Sequence, residues 1–352
     1  MSSDSSRYDD SNHNHHDDYI DNTDMEILIT GGAGFIGGHL AAGFLRDGHS
    51  VCVVDIMDPF YDLQLKRRTI QHHRNVAAQH DGEYTYLNGD IRDEDIISDL
   101  VSDADAVYHQ AGKAGVRPSV DNPTLYADIN INGTLTLLEA SRNTELDAFV
   151  FASSSSVYGG RSEYLPFAET DPALPVSPYG VSKLAAERYV CAYHDVYEIP
   201  TVALRYFTVY GPRMRPNMAI SNFVSRCFTG KSPIIYGDGT QTRDFTYIED
   251  VIDANRTLLD LDAANGKAIN IGSTDRIDIK TLATEIRDQI DPDLSLQYGD
   301  RYAADAAHTH ADTSRAASLL GYDPVYSIRE GVSAFIEWYQ SNRDWYEPLV
   351  ID

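Results

Sequence analysis

Tyr179 and Lys183 stand four residues apart, so a helix running through both would set them on one face. A free phenol titrates at about 10 and is a poor base at neutral pH; nearby positive charge favours its phenolate. Tyr-x-x-x-Lys is common by chance, so the pair gains meaning only from what else converges on it. Ser153, Ser154 and Ser155 close an apolar run that should be a strand just upstream. Near the N-terminus, Thr30-Gly31-Gly32-Ala33-Gly34-Phe35-Ile36-Gly37 follows another apolar run and opens a helical one. There Gly31 permits a tight turn, Gly34 lets backbone approach a pyrophosphate, and Gly37 allows close packing of helix on strand. Asp55 ends the next strand, where a carboxylate accepts from adenosine ribose hydroxyls and repels a 2′-phosphate. Such residues suit an NAD rather than an NADP site, with a cationic nicotinamide and the Lys183 ammonium drawing Tyr179 toward working range as an acid/base.

These residues need a scaffold that brings distant segments to one edge. Apolar runs at Met25–Thr30, Ser50–Asp55, Tyr84–Leu87, Ala106–Ala111, Ala148–Ser153 and Thr201–Tyr206 alternate with helical stretches, clearest at Phe35–Arg46, Pro123–Arg142 and Pro178–Val196. Ser177 reads as the N-cap of the last of these and Pro178 as its first residue. The alternation predicts an α/β fold with a doubly wound parallel sheet of Rossmann type. After Tyr206 the order breaks, returning to helix near Ile248–Asp260 and strand at Ala268–Ile271; a further helix is expected near Ile328–Gln340. The expected organisation is an acidic disordered tail over residues 1–24, a dinucleotide-binding domain over 25–206 and 244–272, and a smaller substrate lobe over 207–243 and 273–352. His13, His15 and His16 fall in the tail, where flexibility is a better reading than a metal site, and no metal is expected.

The chain of 352 residues carries 54 acidic against 28 basic residues, a formal charge of −26. That field repels phosphate and argues against nucleic acid or an anionic membrane as partner. It reads as a surface adapted to high salt, with an acidic binding surface as the alternative. Any anionic ligand must then meet a local cluster of Arg or backbone N–H groups. Cys52, Cys191 and Cys227 lie in apolar contexts without metal-like spacing, and no 18-residue apolar run or signal peptide is visible, so a soluble cytoplasmic protein is expected.

Taken together, the glycine turn, the serines before Val157-Tyr158-Gly159, and Tyr179 with Lys183 resemble the extended short-chain dehydrogenase/reductase superfamily, and more narrowly its nucleotide-sugar 4-epimerases. The resemblance covers roughly residues 25–345 and includes Gly89-Asp90-Ile91, His109-Gln110-Ala111-Gly112, Asn130 before Asn132-Gly133-Thr134, and Arg243-Asp244-Phe245-Thr246-Tyr247. It implies that Ser154 is the catalytic serine, that Asp90 and Ile91 flank the adenine, and that Ala111, Gly112 and Asn130 lie along the dinucleotide. It implies too that Arg243 and Arg301, with Asp305, hold the diphosphate of a UDP-sugar, and that members are commonly homodimers. The implied reaction is redox-neutral: Tyr179 takes the O4 proton with Ser154 on the same oxygen, C4 hydride leaves, the 4-keto sugar turns over, and hydride returns to the other face.

Sister dehydratases carry Asp-Glu after the catalytic residue and decarboxylases carry Glu before Val-Tyr-Gly; Ser155 and Ser156 stand there instead. A non-catalytic dinucleotide sensor would be expected to lose Tyr or Lys, and both are present. The expected pair is UDP-glucose/UDP-galactose. UDP-glucuronate is the alternative, because Thr208 and Arg215 resemble the glucuronate epimerases, where Arg215 can meet a C6 carboxylate or serve the diphosphate instead. Thr309 falls where the family limits pocket size near the sugar, and a small residue there leaves room for a larger substituent.

Overall fold

The computed structural model describes residues 24–301 and 305–350; the acidic tail with its histidines, apart from Asp24, lies outside the described residues. The apolar runs form strands β1 (Glu26–Thr30), β2 (Ser50–Asp55), β3 (Tyr84–Asn88), β4 (Ala106–His109), β5 (Ala148–Ser154) and β6 (Thr201–Tyr206). With Lys267–Ile271 they make a seven-stranded sheet in the order Lys267–Ile271, β6, β5, β4, β1, β2, β3. Every pairing is parallel. Strand order reverses between β1 and β4, which opens the crevice where such sheets bind ligands at their carboxyl ends.

Both faces are covered. Ile27 and Ile29 of β1 pack into one core cluster with Leu40, Phe44 and Val53, while Leu28 packs into the other with Val107, Leu137, Phe149 and Val190. Each such side chain contributes about 1.5–3 kcal/mol by leaving water, which is why the strands read as continuous apolar runs. The first cluster continues into Phe335, Tyr339 and Tyr346 of the last helix. Short pairs, Thr208–Tyr210 with Phe245–Tyr247 and Ile234–Tyr236 with Gln297–Gly299, build the region beyond the sheet's carboxyl edge.

Several boundaries differ from expectation. β4 stops at His109 because Gln110 N–H turns back to the carbonyls of Thr30 and Tyr108. The helix expected to reach Asp260 ends at Arg256 and tightens into a 3₁₀ turn over Thr257–Leu259, while the last helix runs on to Tyr346. The Pro123–Arg142 stretch is not one α-helix. It is α-helical over Pro123–Ala127, π-helical over Asp128–Asn132, and α-helical again over Gly133–Ser141. Gly133 N–H bonds back to Asp128 O, five residues earlier. Such single-turn π-bulges often mark functional sites, and this one carries Asn130.

Candidate active site

The glycine turn is held by bonds local to it. Gly31 N–H donates to Val54 O at 2.7 Å, tying the turn to the neighbouring strand, and Gly34 N–H donates to Gly31 O at 2.9 Å. Gly31 has φ +69° and lies against Ala111: a Cβ there would come within 2.7 Å of the Ala111 backbone. A Cβ on Gly37 would come within 2.7 Å of Gly31 O, so any side chain would push the helix off the turn. A cavity of about 510 Å³ opens beside this turn, lined by Gly31, Gly34, Phe35, Ile36 and Gly37 and by Ser154, Tyr179, Lys183, Thr208 and Arg215. Asp55, Asp90, Ile91, Ala111 and Gly112 line it too.

Asp55 is buried and doubly engaged, accepting from Met57 N–H at 2.8 Å and from Lys66 Nζ at 2.8 Å. Lys66, from the Leu63–Ala77 helix, also lines the cavity. The sequence reading missed it; its only signal was a cation eleven residues beyond a strand-end acid. Asp90 pairs with Arg92, which holds its carboxyl below the usual range and reaches on to Asp128 at 2.5 Å. Ala111 N–H donates to Thr30 Oγ1 at 3.1 Å. Asn130 is buried: its side chain accepts from Lys113 N–H at 2.7 Å and donates to Lys113 O and to Ser182 Oγ. Asn130 is absent from the cavity lining; it pins the loop after Gly112 to the helix that carries Tyr179.

That helix spans Pro178–Tyr197, with the Ser177 side chain accepting from Gly180 N–H and Pro178 at its first position. The cap and the four-residue spacing place Tyr179 and Lys183 side by side at the cavity. Lys183 Nζ donates to Ala152 O at 2.8 Å and lies over the Phe151 ring; burial draws it down to about 8. Burial pushes the Tyr179 phenol up, and a hydrogen bond with Ser154 and the charge of Arg215 pull it back. Arg215 is thus one cation that favours the phenolate, and the Lys183 ammonium, expected from the spacing to do so, donates to the strand end.

Geometry also separates Ser153 from Ser154. Ser153 Oγ donates to Glu187 at 2.7 Å inside the core. Ser154 faces the cavity beside Tyr179 and accepts from Ser156 N–H at 3.2 Å. Only Ser154 among Ser153 and Ser154 can therefore share a substrate oxygen with Tyr179.

Arg215 lies among Tyr61, Tyr126 and Tyr179, with its guanidinium 5.5 Å from the Phe60 ring centre. No carboxylate pairs with it among the described residues. Arg243, largely buried, donates to the carbonyls of Thr242 and Ala307, with Asp305, Arg301 and Arg117 as its charged neighbours. Arg117 pairs with Asp305 at 2.7 Å and stacks its guanidinium on Tyr236. The sequence reading missed Arg117, which lies 188 positions from Asp305 and carries no local signal. Arg301 is exposed. Arg243 thus sits with two further guanidinium groups and one carboxylate, a locally cationic cluster suited to a diphosphate, although none of the four lines the cavity. Thr309 is buried, its hydroxyl accepting from Asp244 N–H at 3.2 Å; the cavity lining does not include it.

The family described as GDP-mannose 4,6 dehydratase matches residues 28–335. The UDP-glucuronate 4-epimerase of Thermodesulfobacterium geofontis is 36% identical, covering 92% of this chain and 99% of its own. The crystal structure of UDP-glucuronic acid 4-epimerase from Bacillus cereus, in complex with UDP-glucuronic acid and NAD, superposes with TM-score 0.84 at 36% identity, covering 90% of this chain and all of that one. UDP-glucose 4-epimerase from Thermotoga maritima, with UDP-glucose, gives TM-score 0.82 at 30% identity over 91% of this chain and all of its own. With its seven-stranded sheet, glycine turn and Tyr179/Lys183 helix, the chain belongs to the GDP-mannose 4,6-dehydratase family of extended short-chain dehydrogenases/reductases.

Proposed function

We propose that the protein is an NAD-dependent UDP-sugar 4-epimerase. The observation that carries this is the meeting of Ser154, Tyr179 and Lys183 in one cavity that the glycine turn also lines. NAD fits that cavity: Gly31, Gly34 and Gly37 leave room for its pyrophosphate, Asp55 with Lys66 for the adenosine ribose, Asp90 and Ile91 for the adenine, and Ala111, Gly112 and Lys183 along its length. When bound, NAD supplies a reversible acceptor for the C4 hydride. Tyr179 takes and returns the O4 proton, and Ser154 holds the same oxygen. Arg215 favours the phenolate, and the Lys183 ammonium keeps positive charge at the strand end. Arg243, Arg301 and Arg117 clamp the diphosphate so that the sugar alone can turn over. Ser155 and Ser156 leave the site without the extra carboxylate a dehydratase needs.

Within this class Arg215 favours UDP-glucuronate/UDP-galacturonate over the neutral pair. A cation in a mostly apolar, aromatic setting without a protein carboxylate is suited to a carboxylate brought by the substrate. Thr208 lines the same cavity. Incubation with UDP-glucose, UDP-galactose, UDP-glucuronate and UDP-N-acetylglucosamine, with products separated, should show C4 inversion, most rapid on UDP-glucuronate. No inversion of any of them would sink the epimerase reading; inversion of the neutral pair alone would sink the glucuronate reading.

The protein acts as a homodimer. Val181, Tyr189 and Val196 lie exposed along the Pro178–Tyr197 helix, an apolar stripe that a second copy would cover. Light scattering should give twice the mass of 39.1 kDa; a monomer mass would refute it. The cytoplasmic location expected from the sequence is supported by Cys52, Cys191 and Cys227, none of them in a disulfide. No helix among the described residues is long and apolar enough to cross a membrane. For the charge of −26 we keep the high-salt reading: Tm should climb from low to molar salt as carboxylate repulsion is screened within a few Å, and a Tm indifferent to salt would count against it.

A further inference from the structure

Behind Ser154 lies an ion pair that the reaction does not touch. Glu187 and Arg205 have side chains 0% and 1% exposed. Arg205 donates through Nε to Glu187 Oε2 at 2.9 Å and through one terminal nitrogen to Oε1 at 2.6 Å, a bidentate pair. Glu187 sits one turn beyond Lys183 and two beyond Tyr179, on the same face of their helix. Arg205 lies in β6, directly across from Ser153 in β5.

The pair reaches both ends of the short segment that carries Ser154. At its start Ser153 Oγ donates to Glu187 Oε2 at 2.7 Å. At its end the other terminal nitrogen of Arg205 donates to the Tyr158 hydroxyl at 2.6 Å, and that hydroxyl donates to Asn270 Oδ1 at 2.7 Å. Between these anchors run Ser154 and a 3₁₀ turn over Ser155–Tyr158, closed by Gly159 at φ +72°. Among the described residues, the Ser154 side chain is otherwise held only by the N–H of Ser156, inside the same turn, and by Tyr179 itself.

We infer that Glu187 and Arg205 are positioning residues for the epimerase reaction: they clamp the Ser154 turn at Ser153 and at Tyr158 and fix its hydroxyl relative to Tyr179. A bidentate pair suits this task because its two parallel bonds set orientation as well as distance. It joins the helix bearing the acid/base, the strand bearing the serine, and the neighbouring strand into one rigid unit. Placement of this kind matters because a displacement of about 1 Å at a reacting group costs up to about 10²-fold in rate.

The inference rests on the catalytic reading of Ser154, and the experiment separates the two. Glu187→Gln leaves a buried guanidinium half-paired and can fail to fold, so the informative variants are Ser153→Ala and Tyr158→Phe, which each remove one hydroxyl and keep the ion pair. Each should lower kcat about tenfold, with KM and bound NAD within about twofold of the parent. In a Ser154→Ala background neither should lower kcat further, because the group they position is gone. A merely structural role would lower Tm without this kcat-only effect and without the loss of additivity. Parental kcat in both variants beside a slow Ser154→Ala would overturn the inference alone, as would equal losses with and without Ser154. Parental kcat in Ser154→Ala would overturn the role of Ser154 itself.

Discussion

The two parts of the site are built by different means. The cofactor part is made of backbone: Gly31 at positive φ, Gly37 where no Cβ fits, and a strand end carrying Asp55. The substrate part is made of side chains from separate segments, with Arg215 beside Tyr179 in the cavity and Arg243 and Arg117 beside Asp305 outside its lining. Backbone requirements leave a mark in sequence because few residues satisfy them, whereas an arginine leaves the same mark wherever it stands.

The largest effect should fall where the two parts meet. Tyr179→Phe should fold and retain NAD while kcat drops about 10²-fold or more, the weight of a positioned acid/base; single-turnover and steady-state rates measure it. Near-parental turnover would move the acid/base elsewhere. Arg215→Ala tests the side-chain part. It should lower kcat/KM on UDP-glucuronate about tenfold or somewhat more, matching the roughly 1.5–3 kcal/mol of a charge-assisted pair, and affect UDP-glucose less. It should also move the acid limb of kcat on UDP-glucose to higher pH: the lost cation favoured the phenolate, so the Tyr179 pKa rises and deprotonation needs a higher pH. Equal losses on both sugars, with no shift of the limb, would assign Arg215 to the diphosphate.

The smallest effect separates this structure from the pattern-based expectation. Thr309 was expected at a position that limits the pocket, its small side chain leaving room for a larger substituent; its hydroxyl accepts from Asp244 N–H, and the cavity lining does not include it. Thr309→Val should therefore cost about 1 kcal/mol of stability, the usual net value of a hydrogen bond, and leave the ratio of rates on UDP-glucuronate and UDP-N-acetylglucosamine unchanged. A changed ratio would return Thr309 to the sugar pocket.

How much was legible follows the same division. The Phe35–Arg46 helix, the start of the Tyr179 helix at its Ser177 cap, and β2 and β6 were readable to the residue because caps, glycines and apolar runs act locally. Lys66 beside Asp55 and Arg117 on Asp305 were not, since each pairing depends on folding that sequence spacing does not encode. The choice of Ser154 over Ser153 came only through resemblance; the physical reason, Ser153 turned to Glu187, needed coordinates. The interruption of the Pro123–Arg142 stretch was also invisible, because neither proline nor paired glycines announce it.

That interruption bears on how this chain can change. A π-turn holds one residue more than the α-helix around it, and Asp128–Asn132 is such a turn. Residues after it are rotated by about a quarter turn or more relative to those before, given 3.6 residues per α-turn. Tyr126 can thus face Tyr179 while Thr134 and Leu137 face the sheet. A lineage that lost the extra residue would gain a more regular helix and lose Asn130 from between Lys113 and Ser182. A designer who idealised this helix would make the same trade, so the irregular turn is the part of the scaffold to copy unchanged.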